Sequence, residues 1–142
     1  PFIVNSKIST ETLTKRIKNG YEVKIGNVIG MQSQLYGEID RVHPIEITYP
    51  NQYDYRIIIK IPKGYIIEGL EGLIYNKNYI SLMGNKICKF ESNYEINDKE
   101  IIISIQEFYK NLRYQKNRYD EFRNVINAAS DFYHTSIKFI KK

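Results

Sequence analysis

Alternation of apolar and polar residues is the feature that most limits the fold of this chain. In 55–61, every second residue from Tyr55 to Ile61 is Tyr or Ile, and the charged residues Arg56 and Lys60 fall between them. Successive side chains of a strand point to opposite faces of a sheet, so this period of two predicts a strand with one buried face. The Pro-Lys-Gly sequence that follows predicts a tight reversal into another strand.

A second alternating region predicts three consecutive antiparallel strands. Segments 79–83 and 86–96 are joined by Gly84 and Asn85, a pair that supplies the positive φ angles of a hairpin turn. A polar Asn-Asp-Lys turn then leads into 100–109. Strands connected in this way form a meander, so antiparallel sheet is expected to dominate the fold.

The last part of the chain changes to the period of a helix. Its apolar residues fill an arc of about 140° at 100° per residue; they are Tyr119, Phe122, Val125, Ile126, Ala129, Phe132 and Tyr133. The opposite arc is polar and contains Asp120, Arg123, Asn124, Asn127, Ser130, Asp131 and His134. This pattern predicts an amphipathic helix that packs on the sheet, with Asn117 as its cap. Ile137 and Phe139 predict a brief closing strand after it.

A short helix is also predicted near the start of the chain. Ser9 or Thr10 can cap segment 9–19, Glu11 suits its first turn, and Gly20 supplies a stop.

Length, composition and charge fit one ordinary globular domain. The chain has 142 residues, 42% of them hydrophobic and 26% charged, and a net charge of +5. The basic residues are scattered and not clustered in a stripe, which disfavours nucleic-acid binding. No segment approaches the ~20 apolar residues of a membrane-spanning helix, and no signal peptide is recognisable. Because the chain begins at Pro1, it is expected to be a piece of a longer protein.

Few residues could perform nucleophilic catalysis or bind a metal. The cysteine and histidines of the chain are Cys88, His43 and His134, and their spacing matches neither a catalytic pair nor a metal-ligand pattern. Cys88 alternates with polar neighbours on the side of Phe90 and is predicted to be a core residue. We therefore expect no enzymatic activity and no cofactor.

Tyrosines interleaved with basic residues form the one candidate binding site. Tyr109, Tyr114 and Tyr119 lie in a segment that also contains Arg113. Tyrosine rings stack on sugars and bases, so these four residues are candidates for binding a glycan or a peptide and, more remotely, a nucleic acid. Tyrosine also commonly buries its ring and keeps its hydroxyl in water, and this structural interpretation is the favoured one.

Three segments resemble the C-terminal part of bacterial transglutaminase-like proteins. They are Ile29-Gly30-Met31-Gln32-Ser33-Gln34-Leu35-Tyr36 with Arg41 and Pro44-Ile45-Glu46-Ile47; Ile61-Pro62-Lys63-Gly64-Tyr65; and Tyr119-Asp120-Glu121-Phe122-Arg123 through to Ile137-Lys138-Phe139-Ile140-Lys141-Lys142. In that family a β-sandwich domain precedes the transglutaminase-like domain and another β-rich domain of unknown function follows it. Over residues 25–142 the chain is similar to the last of these.

The resemblance implies an accessory domain of a larger envelope or secreted bacterial protein. Its partner would be the upstream transglutaminase-like domain of the same chain, and its location would be periplasmic or secreted. The family's Cys-His-Asp triad would lie upstream of Pro1, and no position here matches it.

The sequence as a whole predicts a mainly-β fold. We expect an antiparallel β-sandwich of about seven or eight strands, with a short N-terminal helix and an amphipathic C-terminal helix packed on the sheet. Segment 1–44 is interpreted as the leading helix with a connecting strand segment, and 45–142 as the β-sandwich with its helix, all in one compact domain. The favoured function is a non-catalytic accessory or interdomain structural module; the alternative is a glycan- or peptide-binding module that uses exposed tyrosines.

Overall fold

The computed structural model describes residues 11–37 and 41–142. Within these ranges the chain is mainly β, its strands pair antiparallel, and one α-helix lies near the C-terminus, as predicted. The strands are β1 Thr14–Ile17, β2 Gly20–Val23, β3 Ile45–Glu46, β4 Asn51–Lys60, β5 Tyr65–Glu68, β6 Tyr75–Ile80, β7 Lys86–Ile96, β8 Glu100–Tyr109, β9 Arg113–Tyr114 and β10 Ile137–Lys141. The helix, α1, is Tyr119–Tyr133, and short 3-10 turns occupy Gly26–Ile29, Leu70–Leu73 and Lys116–Arg118.

The larger sheet contains the predicted meander. Its strand order is β4-β8-β7-β6, and β6, β7 and β8 follow one another antiparallel. Strand β4, which contains most of the alternating segment, pairs with β8 along its whole length, from Asn51 opposite Tyr109 to Lys60 opposite Glu100. Strand β8 is therefore central and is hydrogen-bonded on both edges.

The second sheet is assembled from distant parts of the sequence. Its order is β1-β2-β10-β5, so the closing strand β10 lies between a strand from the start of the chain and one from its middle. The turn after β4 is present, because Tyr65 donates its N–H to the Pro62 carbonyl at 3.2 Å and Gly64 has a φ of 83°. The strands on either side of this turn belong to different sheets, so the chain crosses between sheets there.

The predicted N-terminal helix is wrong, because 14–17 is a strand. Strands β1 and β2 form a hairpin in which Ile17 lies opposite Gly20. A Cβ on Gly20 would lie 1.8 Å from the Phe139 carbonyl oxygen, so this glycine permits close approach to β10 and does not end a helix. A helix of about ten residues is marginal on its own, whereas β1 satisfies its backbone groups by pairing with β2, which is itself held by β10. The proposed caps, Ser9 and Thr10, lie outside the described residues.

Helix α1 lies in the segment whose apolar arc predicted a helix, and it packs against β6 and β7. The predicted cap is wrong, because Arg118 occupies the N-cap position and no side chain caps the helix. Two residues of the predicted polar arc, Asn127 and Ser130, are buried. For Asn127 the cause is segment 30–36, which crosses the helix: Leu35 donates its N–H to Asn127 Oδ1 at 2.7 Å. We call 30–36 the strap.

One apolar core connects both sheets and the helix. Phe132 of α1 lies 5.7 Å, between ring centroids, from Phe90 of β7 and 6.0 Å from Tyr75 of β6. Ile137 and Phe139 of β10 are buried in the same core, which confirms the predicted closing strand. In the described part of the chain, no helix is long and apolar enough to cross a membrane.

Candidate functional site

The structure buries the three tyrosines that were candidates for ligand binding. Tyr109, Tyr114 and Tyr119 are 7%, 1% and 4% exposed. The rings of Tyr114 and Tyr109 lie 4.8 Å and 6.0 Å from the ring of Phe122, so they belong to the contact between α1 and the sheet. Their burial agrees with the favoured structural interpretation and gives no support to the alternative of a binding surface made of exposed tyrosines.

Arg113, the fourth candidate, lies on the surface in the small pair formed by β3 and β9. Its Nε is 3.7 Å from Glu46 Oε1, and both side chains are largely exposed. An ion pair of this kind contributes little to stability. The four candidate residues therefore do not form one exposed binding surface.

The single cysteine is a core residue, as predicted. Cys88 is 0% exposed, and burial, together with the nearby Glu107 carboxyl, raises the pKa of its thiol. A buried thiol of raised pKa is protonated at neutral pH and is a poor nucleophile. His43 and His134 are both exposed. Within 11–37 and 41–142, no three His, Cys, Asp or Glu side chains are grouped so that they could hold a metal ion.

A cavity of about 250 Å³ lies between α1, the paired ends of β4 and β8, and the strap. Its apolar lining is Ile47, Phe122, Ile126 and Ala129. Its polar lining is Gln32, Ser33, Asn51, Tyr53, Glu107 and Tyr109. Ser33 and Tyr53 are exposed, so the cavity opens to solvent. We call it the Glu107 cavity.

Glu107 is the unusual residue in this cavity. It is 4% exposed and lies between Tyr53 of β4 and Phe90 of β7 in the sheet register. Its Oε1 accepts a hydrogen bond from Tyr109 Oη at 2.7 Å, and Tyr109 is the one hydrogen-bond partner of this carboxyl among the described residues. Burial raises the pKa of Glu107, and the hydrogen bond from Tyr109 offsets part of that effect.

Asn51, which also lines this cavity, contains a buried acceptor without a partner among the described residues. It lies opposite Tyr109 in the register, and its Oδ1 is buried without a hydrogen-bond partner in the part of the chain that the structure describes. Buried polar atoms are hydrogen-bonded in the great majority of cases, so each exception requires an explanation. Because the Oδ1 atom is buried, a ligand in the cavity cannot reach it, and the carboxyl of Glu107 is the acceptor that a ligand with hydrogen-bond donors could use.

The tip of the β6–β7 hairpin is the second distinctive surface. Leu82 and Met83 are 85% and 90% exposed, and Gly84, with a φ of 82°, closes the turn as the sequence predicted. The loop is longer than the predicted two residues, since Ser81 donates its N–H to the Asn85 carbonyl at 2.7 Å. Together with Asn111, Arg113 and Arg118, Leu82 and Met83 line a surface cleft of about 240 Å³. We call Leu82 and Met83 the hairpin tip.

These features define an antiparallel, mainly-β domain with one C-terminal helix, a polar cavity and an exposed apolar hairpin tip. A family model described as a domain of unknown function with solved structure, DUF3858, matches residues 25–139. The match covers most of the chain, and the chain belongs to this family. The matched range includes both the Glu107 cavity and the hairpin tip. Comparison with curated proteins and with solved structures found no match.

Proposed function

We propose that this domain is a non-catalytic accessory module that packs against a neighbouring domain of a larger, transglutaminase-like bacterial protein. The observation that carries the proposal is the hairpin tip, where two large apolar side chains are 85% and 90% exposed. Soluble domains rarely expose adjacent large apolar side chains unless another surface covers them. The buried, protonated thiol of Cys88 supports the non-catalytic part of the proposal.

The surroundings of the hairpin tip indicate what kind of surface would cover it. Ile80 lies two residues before the tip in the sequence, and Leu112 lies between the cleft residues Asn111 and Arg113. They are 43% and 52% exposed. Arg113 adds a largely exposed positive charge at the rim. An apolar centre with a charged rim is the usual composition of a protein interface. The matching surface would be apolar at its centre and acidic at its edge.

The parent protein and its location are part of the same proposal. They are supported by the resemblance of residues 25–142 to the domain that follows a transglutaminase-like domain, and by the family match over almost the same range. In that setting the partner is the upstream transglutaminase-like domain, and the location is periplasmic or secreted. The β-sandwich arrangement also belongs here, and its support is that the two four-stranded sheets contribute to one core.

Hydrogen–deuterium exchange on the full-length parent protein and on the isolated 142-residue chain tests the interface. Segments 80–84 and 111–113 should exchange more slowly in the parent, because the neighbouring domain covers them. The double substitution Leu82→Ser, Met83→Ser should remove this protection and make the junction more sensitive to protease. Met31→Ser is the matched control, since Met31 is 86% exposed and lies on the strap.

Equal exchange of 80–84 in the two proteins would refute the interface. The absence of a transglutaminase-like sequence upstream would refute the proposed parent. Turnover of hydrolase or transferase substrates by the isolated chain would refute the non-catalytic role.

A further inference from the structure

We propose that the Glu107 cavity binds an alkylammonium group, that is, a protonated primary amine on a short aliphatic stem. This site is separate from the hairpin tip and does not depend on the proposed interdomain role.

The first argument is charge. Glu107 is 4% exposed, and no lysine or arginine among the described residues forms an ion pair with it. The ion pairs of the described residues lie elsewhere, for example Lys89 with Glu91 and Arg118 with Glu121. A buried carboxylate is costly unless a cation or several hydrogen bonds compensate it, and Tyr109 supplies a single hydrogen bond. A cationic ligand would supply the missing charge.

The second argument is the balance of donors and acceptors. After Tyr109 has donated to Oε1, the Glu107 carboxyl receives no second hydrogen bond from the described residues, so it can still accept one from a ligand. An ammonium group has three donors and no acceptor, so it suits a carboxyl group that can accept further hydrogen bonds. The hydroxyl of Ser33 or Tyr53, both in the cavity lining, can accept another N–H. An anion would be repelled by the negative charge of Glu107. A neutral alcohol would leave that charge without a positive partner.

The third argument is the apolar half of the lining. Phe122, Ile126 and Ala129 come from one face of α1, and Ile47 lies across from them. The volume of the cavity, about 250 Å³, is several times the ~30 Å³ that one water molecule occupies in the liquid. An aliphatic stem that lies along this wall would bury apolar surface while its charged end reaches Glu107. A free amine and a lysine side chain of a partner share this chemistry.

Isothermal titration calorimetry on the 142-residue chain at pH 7.5 tests the proposal with n-pentylammonium chloride as the probe. We expect saturable binding that is at least about tenfold tighter than binding of 1-pentanol, because the alcohol has the same stem without the charge. Glu107→Gln keeps the size of the side chain and should weaken binding of pentylammonium at least about tenfold. Glu95→Gln, which removes an exposed carboxylate from β7, is the control and should leave affinity unchanged.

A second variant keeps the test valid if Glu107→Gln folds poorly. Ser33→Lys retains the carboxylate and introduces a competing ammonium group at an exposed position of the lining, so it should weaken binding of pentylammonium at least a few-fold. Circular dichroism on each variant checks that it is folded.

A comparison of two ligands also shows whether the amine is a free molecule or a lysine side chain of a partner protein. Tighter binding of Nα-acetyl-lysine N-methylamide than of pentylammonium assigns the site to a lysine side chain, and the reverse order assigns it to a free amine. Equal binding of pentanol and pentylammonium, or binding of neither, would overturn the proposal. Binding of n-butylguanidinium without binding of pentylammonium would also overturn it, because the site would then select a planar fork of donors.

Discussion

The contact between α1 and the larger sheet differs at its two ends: one end is aromatic and fully buried, and the other contains a cavity with a polar lining. Near the end of the helix, Phe132 and Phe90 are both 0% exposed and pack against each other with Tyr75. Near its start, Phe122 lies beside a cavity that contains the buried carboxyl of Glu107. One helix and one sheet thus provide a dry aromatic contact and, about three turns away, a polar site with unfilled acceptors. Buried polar groups that are only partly satisfied reduce stability, and proteins commonly retain such groups where they bind ligands.

The largest effect is expected at the dry end. Phe132→Ala should lower the free energy of unfolding by about 3–5 kcal/mol, because the ring is fully buried among other rings that cannot close the space. A loss of that size is a large part of the stability of an ordinary domain. Urea denaturation followed by circular dichroism measures it. A loss below about 1 kcal/mol would show that this end is not tightly packed.

The comparison is sharpened by the same substitution at the other end. Phe122→Ala should cost about 3 kcal/mol, at the lower end of the range for a buried phenylalanine, because water can enter the enlarged cavity and hydrate its polar lining. The same denaturation experiment on both variants gives the difference directly. A greater loss for Phe122→Ala than for Phe132→Ala would reverse the assignment of the two ends.

Parts of this structure that depend on local pattern were predictable from the sequence. The helix 119–133, the meander and the buried face of Cys88 follow from periodicity and turn residues, and all three are present. The prediction of an N-terminal helix is wrong because its residues form β1, which pairs with β2, and β2 is placed in a sheet by β10, more than a hundred positions away in the chain. Local propensity could not anticipate that pairing.

The Glu107 cavity shows the same limit more strongly. Its lining comes from the strap, from β4, from β8 and from α1, and each contributes residues that look ordinary in their own segment. The sequence favours a buried ring for Tyr109 with its hydroxyl in water; the ring is buried, but the hydroxyl donates a hydrogen bond to Glu107. The alternation of β8 continues through Glu107 on the inner face, and a charged residue at an inward position is the one signal that could have indicated the site.

A smaller effect is expected where the strap is attached to the helix. Asn127→Ala removes the acceptor of the Leu35 N–H, and we expect a loss of about 1–2 kcal/mol because a partly buried donor is left unpaired. Asn124→Ala, at an exposed position of the same helix, is the control and should change stability by less than about 0.5 kcal/mol. Equal effects of the two substitutions in a thermal denaturation experiment would mean that the strap is not held by Asn127.

The smallest effect is expected at Glu107, and its sign depends on pH. Burial raises the pKa of this carboxyl in the folded protein above its value in the unfolded chain. Between these two pKa values the folded protein retains a proton that the unfolded chain has released, so the free energy of unfolding falls as pH rises. Below both pKa values the carboxyl is protonated in both states, and this loss of stability is absent.

Glu107→Gln removes that dependence, because an amide does not titrate in this range. At pH 7.5 the variant should be more stable than the original protein by on the order of 1 kcal/mol, and the gain should disappear as pH falls below the ordinary glutamate pKa of about 4.3. Urea denaturation at pH 3.5, 5.5 and 7.5 measures the trend, and Glu95→Gln should show none of it. If Glu107→Gln instead destabilises the protein equally at all three pH values, Glu107 serves mainly as the acceptor for Tyr109. The polar end of the helix contact would then be structural, and the contrast between the two ends would be lost.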